Sequence, residues 1–176
     1  MKSSEEIFAI LKEKFGDAIL ELNTKLPKEA VIEVAPLKVA KICWFLRDQE
    51  ELHFDNLILL TGLDDDNGEK VKLEDGTTET KGGTLSVVYH LESMNLRHKL
   101  VLRTATSREN PEVETVSKVW ACADWHEREA FDMYGIIFLN HPDLRRILMP
   151  YDWEGGYPLR KDYKNPEFYQ GMKVPY

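Results

Sequence analysis

Cysteine is scarce in this chain, which has 176 residues and only Cys43 and Cys122. Two isolated thiols fall short of the four thiolates an iron–sulfur cluster normally takes, and of a Cys-rich zinc site. Both lie in apolar, helix-like patterns, where buried reduced thiols are the expectation. Long apolar runs are missing as well. No window approaches ~18 uninterrupted apolar residues, so no bilayer span is expected. Residues 1–6 contain no apolar run of signal-peptide length. The protein is therefore expected to stay where it is made, or to be imported after loss of a leader. Positive charge is in deficit: 31 acidic against 23 basic residues give a formal net charge of −8. That balance argues against non-specific binding to nucleic acid or anionic lipid. Neither GxxxxGK[ST] nor GxGxxG occurs, and no Ser or Cys stands in an elbow context.

What is present is a core-forming composition, 43% hydrophobic and 31% charged, ordinary for a globular domain. At this length ~70% of the unfolded surface can be buried, enough for one domain. Ser3 and Glu6 have capping-box spacing, and Ile7, Ile10, Leu11 and Phe15 follow at helical intervals before Gly16, predicting a helix over 4–15. Val31–Val34 reads as a strand ended by Pro36. That proline suits the first turn of a second helix with the stripe Leu37, Ala40, Cys43, Trp44 and Arg47. Asn56–Gly62 is a continuous apolar run and reads as a buried strand. Leu63–Gly83 is polar, with Asp64-Asp65-Asp66-Asn67-Gly68 and Asp75-Gly76 as turn signals around Val71-Lys72-Leu73. The Asp run lacks EF-hand spacing and its terminal Glu, so it reads as a solvated excursion. Thr84–Glu92 and Leu96–Thr106 alternate in polarity and are joined by Ser93-Met94-Asn95, predicting an antiparallel hairpin with helices over one face. Pro111-Glu112 precedes a predicted long helix over 113–133, its stripe running Val116, Val119, Trp120, Ala123, Glu127, Ala130, Phe131 and Tyr134. Gly135 is placed to end it. Ile136–Leu139 is a last short strand, and from Asn140 the chain reads as turns. The fold class expected is α+β, with a mixed or antiparallel sheet, helices mainly on one face, and an irregular tail. The organisation expected is a single domain over 1–140 and an extension over 141–176 that docks on a partner.

The densest stretch is Trp120–Lys161, WACADWHEREAFDMYGIIFLNHPDLRRILMPYDWEGGYPLRK, with three of the four Trp; five of the eight Pro lie in it or beyond it. Glu127 falls inside an apolar helical stripe. Isolated burial of a carboxylate costs several kcal/mol, so a cationic partner or hydrogen-bond donors are required. Arg128, Arg145, Arg146 and Arg160 are the nearby supply. Glu129 and Asp132 are three residues apart on another face, below Trp125. Paired carboxylates serve acid–base and glycosidic chemistry, but no third group is identifiable and neighbouring Arg would depress their pKa values. His126-Glu127 is half of a zincin helix, yet Ala130 stands where the second His belongs. Glu50-x-x-His53 matches one carboxylate–histidine pair of a di-iron bundle without the second copy. The remaining chemistry is that of an interface. Five prolines keep the last residues irregular, and Tyr151, Trp153, Tyr157, Tyr163, Phe168, Tyr169 and Tyr176 supply apolar area that calls for cover by the chain's own domain or by a partner.

The run Glu127-Arg128-Glu129-Ala130-Phe131-Asp132-Met133-Tyr134-Gly135-Ile136, then Phe138 and His141-Pro142-Asp143-Leu144-Arg145-Arg146-Ile147-Leu148, resembles the signature of the C subunit of NADH–quinone oxidoreductase, the thirty-kilodalton subunit of respiratory complex I. Asp152-Trp153-Glu154-Gly155 and Pro158-Leu159-Arg160-Lys161-Asp162-Tyr163 are similar to that family too, so the likeness covers about 116–163. A match this long is far more specific than a four-residue motif. Two departures stand out: Gly156-Tyr157, where the family more often has one residue, and Lys164, where it usually has proline. The resemblance implies an α+β subunit of the hydrophilic arm without a cofactor, metal site or catalytic residue of its own, not fused to the D subunit. It would dock on the D subunit near the B subunit and other hydrophilic-arm subunits, peripheral on the cytoplasmic side of a bacterial inner membrane or its organellar equivalent. FMN, iron–sulfur clusters and quinone would then belong to partner chains. Glu127, Arg128, Glu129, Asp132, Gly135, His141, Pro142, Asp143, Arg145, Arg146, Asp152, Trp153, Pro158 and Arg160 would be scaffold and interface residues. Related subunits of membrane-bound hydrogenase and ferredoxin-fed complexes are the nearest alternative, and a stand-alone hydrolase using Glu127, Glu129 and Asp132 the alternative of another class.

Overall fold

A computed structural model describes residues 2–24, 30–72 and 78–173. Among these, α1 spans Ser4–Phe15 and carries the full capping box: the Glu6 amide donates to Ser3 Oγ and the Ser3 amide to Glu6 Oε2, 2.7 Å. The chain then makes β1 (Ile19–Asn23), β2 (Val31–Val34), α2 (Val39–Asp48) and β3 (Asn56–Asp64). A small hairpin, β4 (Glu69–Lys72) and β5 (Thr78–Lys81), leads to the long pair β6 (Thr84–Ser93) and β7 (His98–Ser107). After β8 (Glu112–Glu114) come α3 (Ala123–Tyr134), β9 (Ile137–Leu139) and a two-residue ladder of β10 (Phe168–Tyr169) with β11 (Met172–Lys173).

The main sheet has the order β1-β2-β7-β6-β3, with β2 parallel to β7 and every other neighbour antiparallel. The inner-face residues Ile32, Val34, Leu60, Leu85, Val87, Tyr89, Leu91, Leu100 and Leu102 share one core with Ile7 and Leu11 of α1, Ile42, Cys43 and Leu46 of α2, and Ala123 and Ala130 of α3. Helices thus cover one face of a mixed sheet, the α+β architecture that the alternation of the strands predicts. α3 lies close on β3 because Gly62 has no Cβ: one built there would stand 2.7 Å from the Tyr134 ring and 3.3 Å from Ala130.

Several sequence expectations require correction. No single helix fills 113–133. Val113 instead sits in β8, paired in parallel with Phe138 of β9, and turns carry the chain through Val116–Ala121 before α3 begins at Ala123. The helical periodicity of Val116, Val119 and Trp120 is real as burial, since all three are in the core, but strand pairing outranks it locally. α2 buries Val39, Ile42, Cys43 and Leu46, while Leu37 and Trp44 are exposed. The predicted stripe is out of phase because residues 36–38 form a turn and not the first helical turn. β3 is longer than expected and covered on one face, so Ile58, Leu59 and Leu63 are exposed. Within the polar excursion β4 and β5 pair as a hairpin; the Asp75-Gly76 signal and Leu73 lie outside the described residues, as do Pro175 and Tyr176. Cys43 is buried as expected, but Cys122 is exposed.

Candidate functional site

The family-like signature occupies the C-terminal half of α3 and the segment that folds back over it. Gly135 ends the helix in the left-handed region, φ 76°, with its amide donating to the Phe131 carbonyl. The following chain, β9 and the turn through Asn140 and Pro142, reverses direction and returns along the helix. There Asp132, fully buried, meets it. Asp132 Oδ2 accepts from three successive amides, Ile147 at 3.0 Å, Leu148 at 2.7 Å and Met149 at 2.9 Å. Its other oxygen accepts from Arg146 Nη1 at 2.7 Å. Burial pushes this carboxyl upward, but the three amides and the guanidinium outweigh it and hold the pKa below the ordinary Asp value. The side chain is a four-donor anchor for the tail.

A second anchor lies further along. Arg108, at the end of β7, bridges Asp64 Oδ2 at 2.6 Å and Asp162, while the Lys161 amide donates to Asp64 at 2.9 Å. Between the anchors, the Leu159 amide bonds the Met133 carbonyl and Arg160 Nε donates to the Tyr134 carbonyl at 2.7 Å, satisfying the open end of α3. Tyr157, one of the two departures from the family pattern, lies against Gly135, where any Cβ would strike its ring. Arg160 lies over that ring at 4.4 Å and Arg146 at 5.5 Å. The first part of the tail is therefore strapped over its own domain.

Glu127 departs from expectation. No Arg reaches it. It accepts from the Thr115 hydroxyl and from the Val116 amide at 2.7 Å, and His141 Nε2 stands 3.7 Å away. Arg145 pairs instead with Asp143 at 2.9 Å, Arg146 with Asp132, and Arg128 stacks over Trp125 with Nε 3.4 Å from the Arg145 carbonyl. Without a cation, burial drives the Glu127 pKa up to about 7, against the lowering effect of Thr115 and Val116. Depression helped by a neighbouring Arg, expected from the sequence, is found at Asp132, where Arg146 adds to the tail amides. Glu129 is exposed to solvent. Of the three carboxylates offered for hydrolysis, one is enclosed in the core, one serves the tail and one faces water.

The other predicted residues are scattered along the strap. His141 accepts the Asp143 amide at Nδ1 and approaches the Asp124 carbonyl at 3.3 Å. Pro142 is exposed and Pro158 half-buried. Asp152 accepts from the Tyr169 hydroxyl at 2.9 Å and Gln170 at 2.8 Å, and the Trp153 indole donates to the Gly156 carbonyl. Thr115, Asp64, Arg108 and Asp162 were not identifiable as partners from sequence; their contacts join positions 12 to 97 residues apart. Among the described residues no group of His, Cys, Asp or Glu is arranged to hold a metal ion, and no helix is long and apolar enough to cross a membrane.

Residues 32–169 match the family described as respiratory-chain NADH dehydrogenase, 30 Kd subunit. The chain is 43% identical over 175 residues to the C subunit of NADH-quinone oxidoreductase from Chloroherpeton thalassium, covering 98% of this chain and 65% of that relative. It is 40% identical to the Chlorobium phaeobacteroides protein of the same name, covering 98% of it. A Bacteroides thetaiotaomicron relative, named as the combined C/D subunit of that oxidoreductase, is 46% identical over 123 residues, 22% of its length. Among solved structures, an Nqo5 trypsin-resistant fragment shares the fold with a TM-score of 0.57 at 22% identity, covering 78% of this chain and 98% of that one. A chain of the archaeal membrane-bound sulfane sulfur reductase complex matches at 0.59 and 21% identity, covering 91% of this chain and 85% of that one.

Proposed function

The chain belongs to the family of the 30 Kd subunit of respiratory-chain NADH dehydrogenase, and from that membership we propose that it works as an assembly subunit of a proton-translocating NADH:quinone oxidoreductase. In this reading it carries no cofactor. FMN, iron–sulfur clusters and quinone are held by partner chains, and this subunit supports those that pass electrons to quinone. It docks on the D and B subunits of the complex, peripheral to the membrane on the cytoplasmic side. The residues from 141 onward form the extension that meets the partner.

The observation that carries the reading is the use made of the family signature. Asp132 and Arg146, with Arg160 and the left-handed Gly135, bind the tail to α3, and that strap leaves Trp125, Leu148 and Tyr151 exposed. Devoting charged donors and acceptors to a strap while large aromatic and apolar side chains stay outside is how a docking surface is built, not how a reacting group is placed. Glu127, whose carboxyl pKa is raised to about 7, is fully enclosed and out of reach of a substrate. The quinone-linked branch is favoured over hydrogenase-type relatives by the 43% and 40% identities, since likeness of fold alone does not separate the branches.

The test is co-expression of the full chain with the B and D subunits, followed by purification through a tag on this chain. The expected result is stoichiometric recovery of both partners, and a separately purified chain with no visible absorbance and no NADH oxidation. Elution of the chain alone, or a stoichiometric chromophore on it, would overturn the proposal.

A further inference from the structure

Beside the Asp132 anchor, the α3–tail junction encloses an open cleft of about 490 Å³ lined by Trp125, Arg128, Arg145, Arg146, Ile147 and Tyr151. Its lining carries three guanidinium groups and no carboxylate, in a chain whose formal net charge is −8. The acids that balance these groups stand outside the lining. Asp132 is taken up with Arg146 and the tail amides, and Asp143 pairs with Arg145 in solvent, where exchange for another carboxylate costs little. Arg128 makes the longest ion pair of the three. Its side chain is 8% exposed, the nearest carboxylate oxygen is that of Asp124 at 3.8 Å, and among the described residues it donates no hydrogen bond to a carboxylate. Flanking these cations are large side chains left open to water, Trp125 at 63% and Tyr151 at 96% exposure.

We infer that this cleft is the seat for an acidic segment of a partner protein, one in which Asp or Glu side chains alternate with apolar ones. The inference deepens the proposed assembly role and rests on it. Each part of the lining selects for that chemistry. Planar guanidinium groups pair with carboxylates through two parallel N–H bonds, and burying Arg128 under a partner without an acid would leave its desolvated charge with only the long 3.8 Å pairing to Asp124. Trp125, Ile147 and Tyr151 add the apolar contact that a bare phosphate does not use, and aromatic and Arg side chains are the types that dominate protein interfaces. An anionic lipid surface meets the same three Arg but also the chain's excess negative charge, which opposes approach to it. The strap fixes the geometry in advance: Arg146 is held by Asp132 and Ile147 by its amide bond, so the cleft needs little ordering on binding.

The experiment uses the full chain co-expressed with the B and D subunits. Tyr151 is replaced by the photo-crosslinking amino acid p-benzoylphenylalanine, and cross-linked peptides are identified by mass spectrometry. The expected product joins position 151 to a partner segment carrying several Asp or Glu interleaved with apolar residues. In parallel, Arg145→Glu should weaken the association about tenfold and flatten its salt dependence, while Trp125→Ala weakens it by a similar factor with the salt dependence intact. Both side chains are exposed, so neither substitution disturbs the core. Cross-linking to a neutral or basic segment, to lipid, or to residues 174–176 of the same chain overturns the inference, as does assembly of both variants at wild-type affinity. In those cases the assembly role stands. Failure of the wild-type chain to recover the B and D subunits overturns the assembly role, and the inference with it.

Discussion

Replacing Asp132 by Ala removes the acceptor of four donors at once. The Ile147, Leu148 and Met149 amides lose their partner, and Arg146 loses its carboxylate. Hydrogen bonds to a charged group contribute about 1.5–3 kcal/mol each. The full set is not lost, because Leu148 is 60% exposed and the released amides rehydrate. Truncating one side of a buried pair costs about 3–5 kcal/mol, and that is the expected loss here. The damage is also bounded by the docking energy of the tail, since the strap can lift without the sheet unfolding. Two measurements therefore go together. Hydrogen exchange at the 147–149 amides should accelerate roughly a hundredfold or more. If strap and domain melt as one unit, the midpoint should also fall by about 6–20 °C for a chain of this size. The folded Asp132 pKa lies below the unfolded value of about 3.9. Its stabilisation is thus complete above about pH 4 and fades as pH falls through the lowered folded value, a loss the Ala variant will not show. Unchanged exchange at the three amides would refute the anchor, whatever the melting temperature.

Glu127→Gln tests the opposite sign. The wild-type folded state holds a proton up to about pH 7 that the unfolded chain releases near 4.5. Stability should therefore decline as pH rises through that window, by about 3 kcal/mol at about 1.4 kcal/mol per pH unit. The Gln variant should lose that slope and be the more stable protein at pH 8, and denaturant titrations at several pH values decide it. Gly135→Ala should cost about 1–2 kcal/mol for the left-handed backbone, plus the displacement of Tyr157, and adding Tyr157→Ala should recover the second part in a thermal melt. Arg108→Ala leaves Asp64, 1% exposed, without its cation and should destabilise by about 3–5 kcal/mol, with Arg108→Lys restoring little because one ammonium does not span both carboxylates. A wild-type unfolding midpoint for either Arg108 variant would show that the second anchor does not hold the tail.

The elements legible in the sequence are those whose cause is local. The Ser3/Glu6 box and the Ile7 and Leu11 spacing place α1 to the residue, the alternation from Leu85 to Leu91 and from Leu100 to Thr104 places the β6–β7 hairpin, and Gly135 marks the end of α3. The family signature was legible for the same reason, being a continuous run. The phase of α2 was misread because Pro36 opens a turn and not the helix, and the start of α3 because Val113 has a strand partner, Phe138, 25 residues away.

What the sequence by itself determined is the α+β class, the main hairpin, the family, and the demand that a carboxylate at position 127 find donors. Only the tertiary structure decided which donors: the Thr115 hydroxyl and Val116 amide for Glu127, three tail amides and Arg146 for Asp132, and Arg108 for Asp64 and Asp162 together. Arg side chains and backbone amides offer a carboxylate the same chemistry, and four Arg near Glu127 in sequence made an ion pair the natural expectation. Which donor arrives depends on where distant segments cross, and the cost of desolvating each group is settled at that crossing. The same crossings turn the tail back onto α3 and leave Arg128 beside an open cleft, its guanidinium 3.8 Å from the Asp124 carboxylate.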